Sequence, residues 1–432
     1  MLRVFGNAWK IPELKKKILF TILVIVLYRI GSAIPVPYVN GDALSEMMTK
    51  NSETLFGYFN MLSGYAFSQG TIFALGVSPY ITASIVIQLL TIAIPALERM
   101  SKSGPEGQAK ISKITRWITV VLAVITGYGY YITINNTYPG LIQAGTFPAI
   151  VIVVCLTAGA SLVMWTGEQI DEKGIGNGIS MILFANIVSR GASLFTTMYT
   201  LIKEGFAAGT ALSSIIWVVV AIITMLLIIT LTVFFSNSER RLNVQYAKRQ
   251  VGRKMYGGTS TNLPIKVLMS GVMPIIFANA IVMMPATLAM IFPSWEAGVR
   301  DYFSTTSKYP FYVITLFVLI IAFAYFYLSI SFNAVEVANN LKKNGGTILG
   351  YRPGKPTSDY IKKVVNRVTL MGAVFLSFMA ILPVLLAWTG KDALTYLVFG
   401  GTSMIILVSV ALETTRQLES EITMRHYKGF LD

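Results

Sequence analysis

The chain of 432 residues contains one cysteine and one histidine, and only 13% of its residues are charged. A lone Cys155 has no partner for an intrachain disulfide, and within an apolar run it reads as a small buried hydrophobe. A lone His426 near the end of the chain leaves little material for a histidine-based metal site or for Ser-His or Cys-His catalysis. No G-x-x-x-x-G-K-[ST] element occurs, so the chain has no P-loop for a nucleotide. Carboxylates are scarce too: 20 Asp and Glu stand against 35 Lys and Arg, a formal net charge of +15. With 54% hydrophobic residues, this composition excludes an ordinary soluble enzyme of this length.

Long apolar runs fill the space. Ten segments approach the roughly 20 residues that a helix needs to span a bilayer: 18–37, 72–94, 115–135, 149–167, 178–200, 213–235, 267–292, 310–332, 369–389 and 394–413. The first is followed by polar chain and Pro35-Val36-Pro37 without a small-residue cleavage site, so it is expected to be retained.

The bases fall almost entirely in alternate connections. Five precede the first segment, five lie in the second connection, one (Lys173) in the fourth, seven each in the sixth and eighth, and three in the tail. The opposite side has Lys50, Lys203, Arg300, Lys308 and Lys391. Cytoplasmic loops hold the Lys/Arg excess, which predicts both termini in the cytoplasm. Much of the charge is this topological bias, which also attracts anionic lipid headgroups. The bias does not account for the length of the sixth and eighth connections or their mixture of Gly, Pro and bases, and long loops of that kind are usually functional.

Residues 1–17 read as a basic interfacial segment carrying Leu2, Val4, Phe5, Trp9 and Ile11. Residues 55–70 are too short and polar to cross a bilayer, yet too apolar for a comfortable exposed loop. Such a piece is either an amphipathic loop on the outer face or a re-entrant segment buried in protein. Only Arg29 and Arg190 are clearly ionisable residues inside spans, each able to snorkel or to pair with backbone carbonyls. A proton- or sodium-coupled carrier needs titratable groups or coordinating oxygens near the midplane; their scarcity argues against one. Pro79, Gly127, Gly129, Pro274 and Pro285 are expected to interrupt or kink helices. Ten spans divide naturally into five and five, with 201–212 as the connection between halves.

Five ordered blocks then resemble the SecY family, the central channel subunit of the bacterial Sec translocase. They are Gly167-Glu168-Gln169-Ile170 with Gly174-Ile175-Gly176-Asn177-Gly178-Ile179-Ser180; Asn60-Met61-Leu62-Ser63-Gly64; Ile72 through Ser84; Tyr246-Ala247-Lys248-Arg249-Gln250; and Tyr351-Arg352-Pro353-Gly354 ahead of Tyr360-Ile361. The resemblance implies an all-α polytopic membrane protein in which two pseudo-symmetric five-helix halves, 18–200 and 213–413, close as a clamshell around a central pore. Unfolded preproteins would cross through it, and membrane segments would leave sideways into lipid. A secondary carrier for a small solute, or a non-conducting scaffold or insertase, is the alternative. No enzyme activity and no cofactor is implied.

Matched position by position, the resemblance assigns a pore ring to Val77, Ile81, Leu183, Ile187, Ile276 and Ile406, with Val77 and Leu183 where isoleucine is frequent. It assigns a plug to 55–70, including Asn60, Met61, Leu62, Ser63, Gly64 and Tyr65. Thr82, Gln88 and Asn279 become candidates for closing a lateral gate between the second and seventh spans. Lys248, Arg249 and Arg352, in cytoplasmic loops 236–266 and 333–368, become docking residues for the SecA motor ATPase or ribosomal RNA. Asn262 stands where a histidine is common. SecE and SecG subunits, a signal sequence and the bacterial inner membrane complete the implied surroundings, with 414–432 as a cytoplasmic tail.

Overall fold

A computed structural model describes residues 2–50, 63–137, 140–143, 145–189, 191–207, 209, 211–246, 249–251, 254–256, 260–269, 271–291, 295, 298–299, 302, 310–388 and 392–428. All ten apolar segments carry helix. After a short α1 (Leu2–Lys10) come α2 (Pro12–Gly31), α3 (Gly41–Lys50), α4 (Ser78–Ala93), α5 (Pro95–Lys102), α6 (Pro105–Thr137) and α7 (Thr146–Lys173). The chain continues through α8 (Gly178–Ser189), α9 (Gly191–Ala207), α10 (Ala211–Asn237), α11 (Met273–Val282), α12 (Met284–Ile291), α13 (Phe311–Ser331), α14 (Ala334–Lys343), α15 (Lys355–Ala387) and α16 (Asp392–Lys428). Among the described residues, five helices are long and apolar enough to cross a membrane, or six if α4 and α5, bent by 102°, form one span. The outer surface of α10 leaves Ile216, Ile223, Leu226, Leu227 and Phe234 exposed. A contiguous apolar face of that extent fits lipid, not water.

Several boundaries differ from the sequence expectation. The first helix stops at Gly31 rather than reaching 37, because Pro35 and its neighbours instead pair with the segment before α4: Pro35 bridges to Thr71, and the Ile72 amide donates to the Ile34 carbonyl at 3.0 Å. The second helix begins at Ser78, not 72, and Pro79 sits in its first turn, where its missing N–H costs nothing, so it breaks no helix. Gly127 and Gly129 lie inside an unbroken α6. The segment 267–292 is broken at Met283, just before Pro285. The tail is not separate: α16 runs on to Lys428. Contacts to α2 and to the turn between α7 and α8 hold it: Lys17 Nζ to Glu421 at 2.9 Å and the Gly176 amide to Gln417 Oε1 at 3.0 Å.

The sixth and eighth connections add a small sheet to the helical body. Strands β1 (Glu239–Tyr246), β4 (Ser260–Lys266) and β5 (Gly346–Ile348) form an antiparallel sheet in the order β4-β1-β5, and β2 (Arg249–Val251) pairs with β3 (Lys254–Tyr256). The period-two pattern of β1 turns Leu242 and Val244 inward, where they join Ile265, Ile348, Leu341 and Ile361 in one apolar cluster. The sixth and eighth connections are therefore one packed unit, which the helical reading of the sequence missed.

Candidate functional site

The glycine-rich turn between α7 and α8 shows what its motif is for. A Cβ on Gly178 would lie 1.9 Å from the Gly167 carbonyl oxygen, so two backbones touch where only glycine fits. Asp171 Oδ1 accepts the Gly178 amide at 2.7 Å, and Asn177 Oδ1 accepts the Ser180 amide at 3.0 Å as an N-cap. This turn fixes the start of α8, whose next turns present Leu183 and Ile187.

Those two residues belong, with Val77, Ile81, Ile276 and Ile406, to one large buried apolar cluster. All six are less than 10% exposed, and they come from α8, from α4 and the residue before it, from α11 and from α16. Ile81, Leu183, Ile276 and Ile406 also line a cavity of about 230 Å³, together with Phe67, Thr82 and Asn279. Flexible aliphatic walls offer no oxygen to replace an ion's hydration shell, and a constriction of this kind can close by dewetting.

Of the six residues matched to the plug, Asn60, Met61 and Leu62 lie outside the described residues; Ser63 and Gly64 are buried and Tyr65 half-buried. Residues 63–77 run as turns through the interior: Tyr130 donates to the Phe67 carbonyl at 3.0 Å, and the Phe67 and Tyr130 rings meet edge to face at 4.9 Å. Ala66 reaches the same apolar cluster as the six aliphatics. Irregular backbone is tolerated at membrane depth only when buried in protein or lining a water-filled cavity, so the exposed-loop alternative does not hold for the described part.

The three polar residues facing α11 and α4 behave differently from one another. Thr82 Oγ1 donates to the Ser78 carbonyl of its own helix at 3.1 Å. Asn279 is 2% exposed, and its Oδ1 has no partner among the described residues. Gln88 reaches across: its Oε1 accepts the Tyr327 hydroxyl of α13 at 3.2 Å. Tyr327 was not legible as a site residue, because an aromatic within Phe323–Tyr327 looks like any lipid-facing residue until its partner is known. It caps an aromatic group in which Phe277 lies 5.3 Å from Tyr327 and 5.9 Å from Phe323.

In the sixth connection Lys248 lies outside the described residues, and Arg249 begins β2. Arg352 is exposed just before α15; its carbonyl accepts Thr357 Oγ1 at 2.7 Å, and Tyr351 stacks on Tyr360 at 4.0 Å. The backbone is thereby fixed while the guanidinium faces solvent. Of the two intramembrane arginines, Arg190 lies outside the described residues and Arg29 pairs with a backbone carbonyl, that of Ala185 at 2.7 Å.

A helical body with several helices long and apolar enough to cross a membrane is the fold that this chain shares with protein-conducting channels. A solved structure described as that of a protein conducting channel superposes with a TM-score of 0.70 at 20% identity, covering 94% of this chain and 92% of that one. Sec61 in a canine ribosome-channel complex from the endoplasmic reticulum gives 0.65 at 18% identity, with 94% and 92% covered. The SecY family profile matches residues 71–415. The protein translocase subunit SecY of Streptomyces galbus is 43% identical over the whole of both chains, and that of Rickettsia felis 41% identical over 97% of this chain and 96% of its own. The chain belongs to the SecY family, a family of multi-pass translocation channels and not of enzymes.

Proposed function

We propose that this chain is the central subunit of a bacterial inner-membrane translocase, passing unfolded secretory chains through a waist formed by Val77, Ile81, Leu183, Ile187, Ile276 and Ile406. The observation that carries this reading is that Ile81, Leu183, Ile276 and Ile406, from four separate parts of the sequence, line one mostly apolar cavity. An apolar ring makes no hydrogen bond to any particular side chain, so it suits a substrate class defined by being unfolded. Residues 55–70 act as the plug beneath it, and 18–200 and 213–413 move as two halves about the connection near 201–212. Both termini lie in the cytoplasm, as the distribution of bases supports.

The gate for signal sequences and nascent membrane helices opens between α4 and α11. Asn279, Thr82 and Gln88 line or latch it, with Tyr327 as the far partner of the latch. Lys248, Arg249 and Arg352 on the sheet-braced cytoplasmic loops receive the ribosome or the SecA motor, and SecE and SecG complete the assembly. Energy comes from such a partner or from the proton-motive force.

The test uses a Cys155→Ala background with one cysteine at position 276 and another scanned along a secretory chain stalled midway. A disulfide at 276, absent from a lipid-facing control cysteine, supports passage through the waist. Its absence with stalling verified would leave the ring as packing and overturn the reading.

A further inference from the structure

Arg29 lies inside the membrane-spanning part of α2, where a charged side chain is expensive unless paired. It is paired by α8. The guanidinium Nη2 donates to the Ala185 carbonyl at 2.7 Å and to Ser189 Oγ, both in the last turns of that helix. The preceding residue, Tyr28, is buried, and its hydroxyl accepts Asn186 Nδ2 at 3.0 Å. Thus α2 and α8 are joined by two adjacent polar contacts, on the same stretch of α8 that carries Leu183 and Ile187.

A third segment rests on this junction. Gly64 has φ +63°, and a Cβ built there would lie 2.9 Å from Asn186 Oδ1 and 3.1 Å from both Arg29 Nη1 and Nη2. Tyr65, which follows it, also has a positive φ, +74°, uncommon for a residue with a side chain. The left-handed pair turns the chain against the junction. Beyond it, Ser63 Oγ accepts the Phe67 amide at 3.0 Å, and Ala66 enters the cluster of the aliphatic ring.

We infer that Arg29 and Asn186 are positioning residues that anchor the stem of the plug, Ser63–Tyr65, to the helix bearing two ring residues, so that plug seating and ring closure are coupled through one polar junction. This rests on the plug and ring assignments proposed above. Displacing the plug must pull Gly64 off the junction, and loosening the junction frees both the stem and the turn between Leu183 and Ile187. Tyr28 and Asn186 are specific to the junction's geometry: the phenol supplies an acceptor that phenylalanine lacks, and the carboxamide supplies the donor.

The experiment measures resting ion conductance of the complete translocase in planar bilayers for Arg29→Gln, Arg29→Lys, Asn186→Ala, Gly64→Ala and the double variant Arg29→Gln/Gly64→Ala. Thermal unfolding of each complex checks assembly. Deletion of 55–62, which spares the stem, is the reference. The deletion is expected to leak. Arg29→Gln, Asn186→Ala and Gly64→Ala should each raise resting conductance roughly threefold to tenfold, the range that interhelical hydrogen bonds in membranes command. Arg29→Lys, which keeps the charge but loses the planar fork, should fall between Arg29→Gln and the wild type. The double variant should leak no more than the larger single, because both changes break one junction.

A leaking deletion beside silent, assembled single variants would overturn the anchor and leave the plug reading standing. A silent deletion would overturn both. Additive leakage in the double variant would show two independent effects and also overturn the anchor. Should Arg29→Gln fail to assemble, Asn186→Ala and Gly64→Ala decide the matter by the same criterion.

Discussion

The Tyr327 hydroxyl donates to Oε1 of Gln88 across 3.2 Å, joining α13 to α4. Gln88 also reaches Ser84 Oγ through Nε2, but at 3.4 Å, so the contact between helices is the shorter of its two bonds. Interhelical hydrogen bonds in membranes average about 0.6 kcal/mol, with a maximum near 1.7. A bond of that strength holds a gate shut without locking it, since burying one aliphatic side chain of an incoming segment is worth about 1.5–3 kcal/mol. Tyr327→Phe should therefore ease opening: export of a reporter with a weakened signal sequence rises about threefold, while export of a strong one is unchanged. Unaltered discrimination between the two reporters would show that the bond is not a latch.

Ile276 offers a sharper test of the waist. It is buried, lines the central cavity and faces aliphatics from three other segments. An asparagine there brings a donor and an acceptor into a ring that closes by excluding water. Ile276→Asn should raise resting ion conductance about tenfold, the effect of losing about 1.4 kcal/mol of closure out of the 1.5–3 an isoleucine contributes by burial. Ile276→Leu should be nearly silent. Equal conductance in the two variants would mean that polarity at this position does not govern the seal.

In the eighth connection Arg352 is exposed, while its backbone is held by Thr357 and by the stacked pair Tyr351–Tyr360. Reversing the charge removes a planar bidentate donor without disturbing what fixes the turn. Arg352→Glu should lower motor-driven export at least about tenfold, as loss of a buried charge pair at an interface commonly does, with thermal stability within about 0.5 kcal/mol of the parent. Normal export would remove Arg352 from the docking surface.

The parts of this molecule that were legible in the sequence are those set by a long-range average. Apolar length located all ten helical segments. What escaped depended on a partner distant in sequence. The 32–37 segment was counted into the first span because its composition is apolar, yet Pro35 and Ile34 pair with the chain at 71–72. Pro79 read as an interruption because sequence shows the ring's missing N–H but not that the helix starts one residue earlier, at Ser78. The small sheet was missed because β1 pairs with β5, about a hundred residues on, and three residues are too few to show a period. Gln88 was identified from its polarity alone; its partner, 239 residues away, was not. Arg29 is the intermediate case: membrane energetics left it to snorkel or to pair with a carbonyl, and only the fold supplies Ala185.

Lys266, at the end of β4 and outside the membrane-spanning segments, gives a prediction in pH. Desolvation holds its ammonium below the usual lysine range, and the nearby Arg416 guanidinium lowers it further; Glu239 and Glu413 oppose both without prevailing. A base whose folded pKa lies below its unfolded value of 10.5 binds fewer protons in the folded state between those two values. Stability must then rise with pH across that window, and below the folded value the cost of the charge is fully present. Lys266→Gln removes the cost, so the variant complex should melt higher than the parent at pH 7.5. Its advantage should shrink as pH climbs through the folded pKa and stop changing above 10.5. Melting both complexes in lipid nanodiscs across this range measures the effect. A variant that melts lower at pH 7.5 would show that the two carboxylates outweigh the partial desolvation of the ammonium and its arginine neighbour.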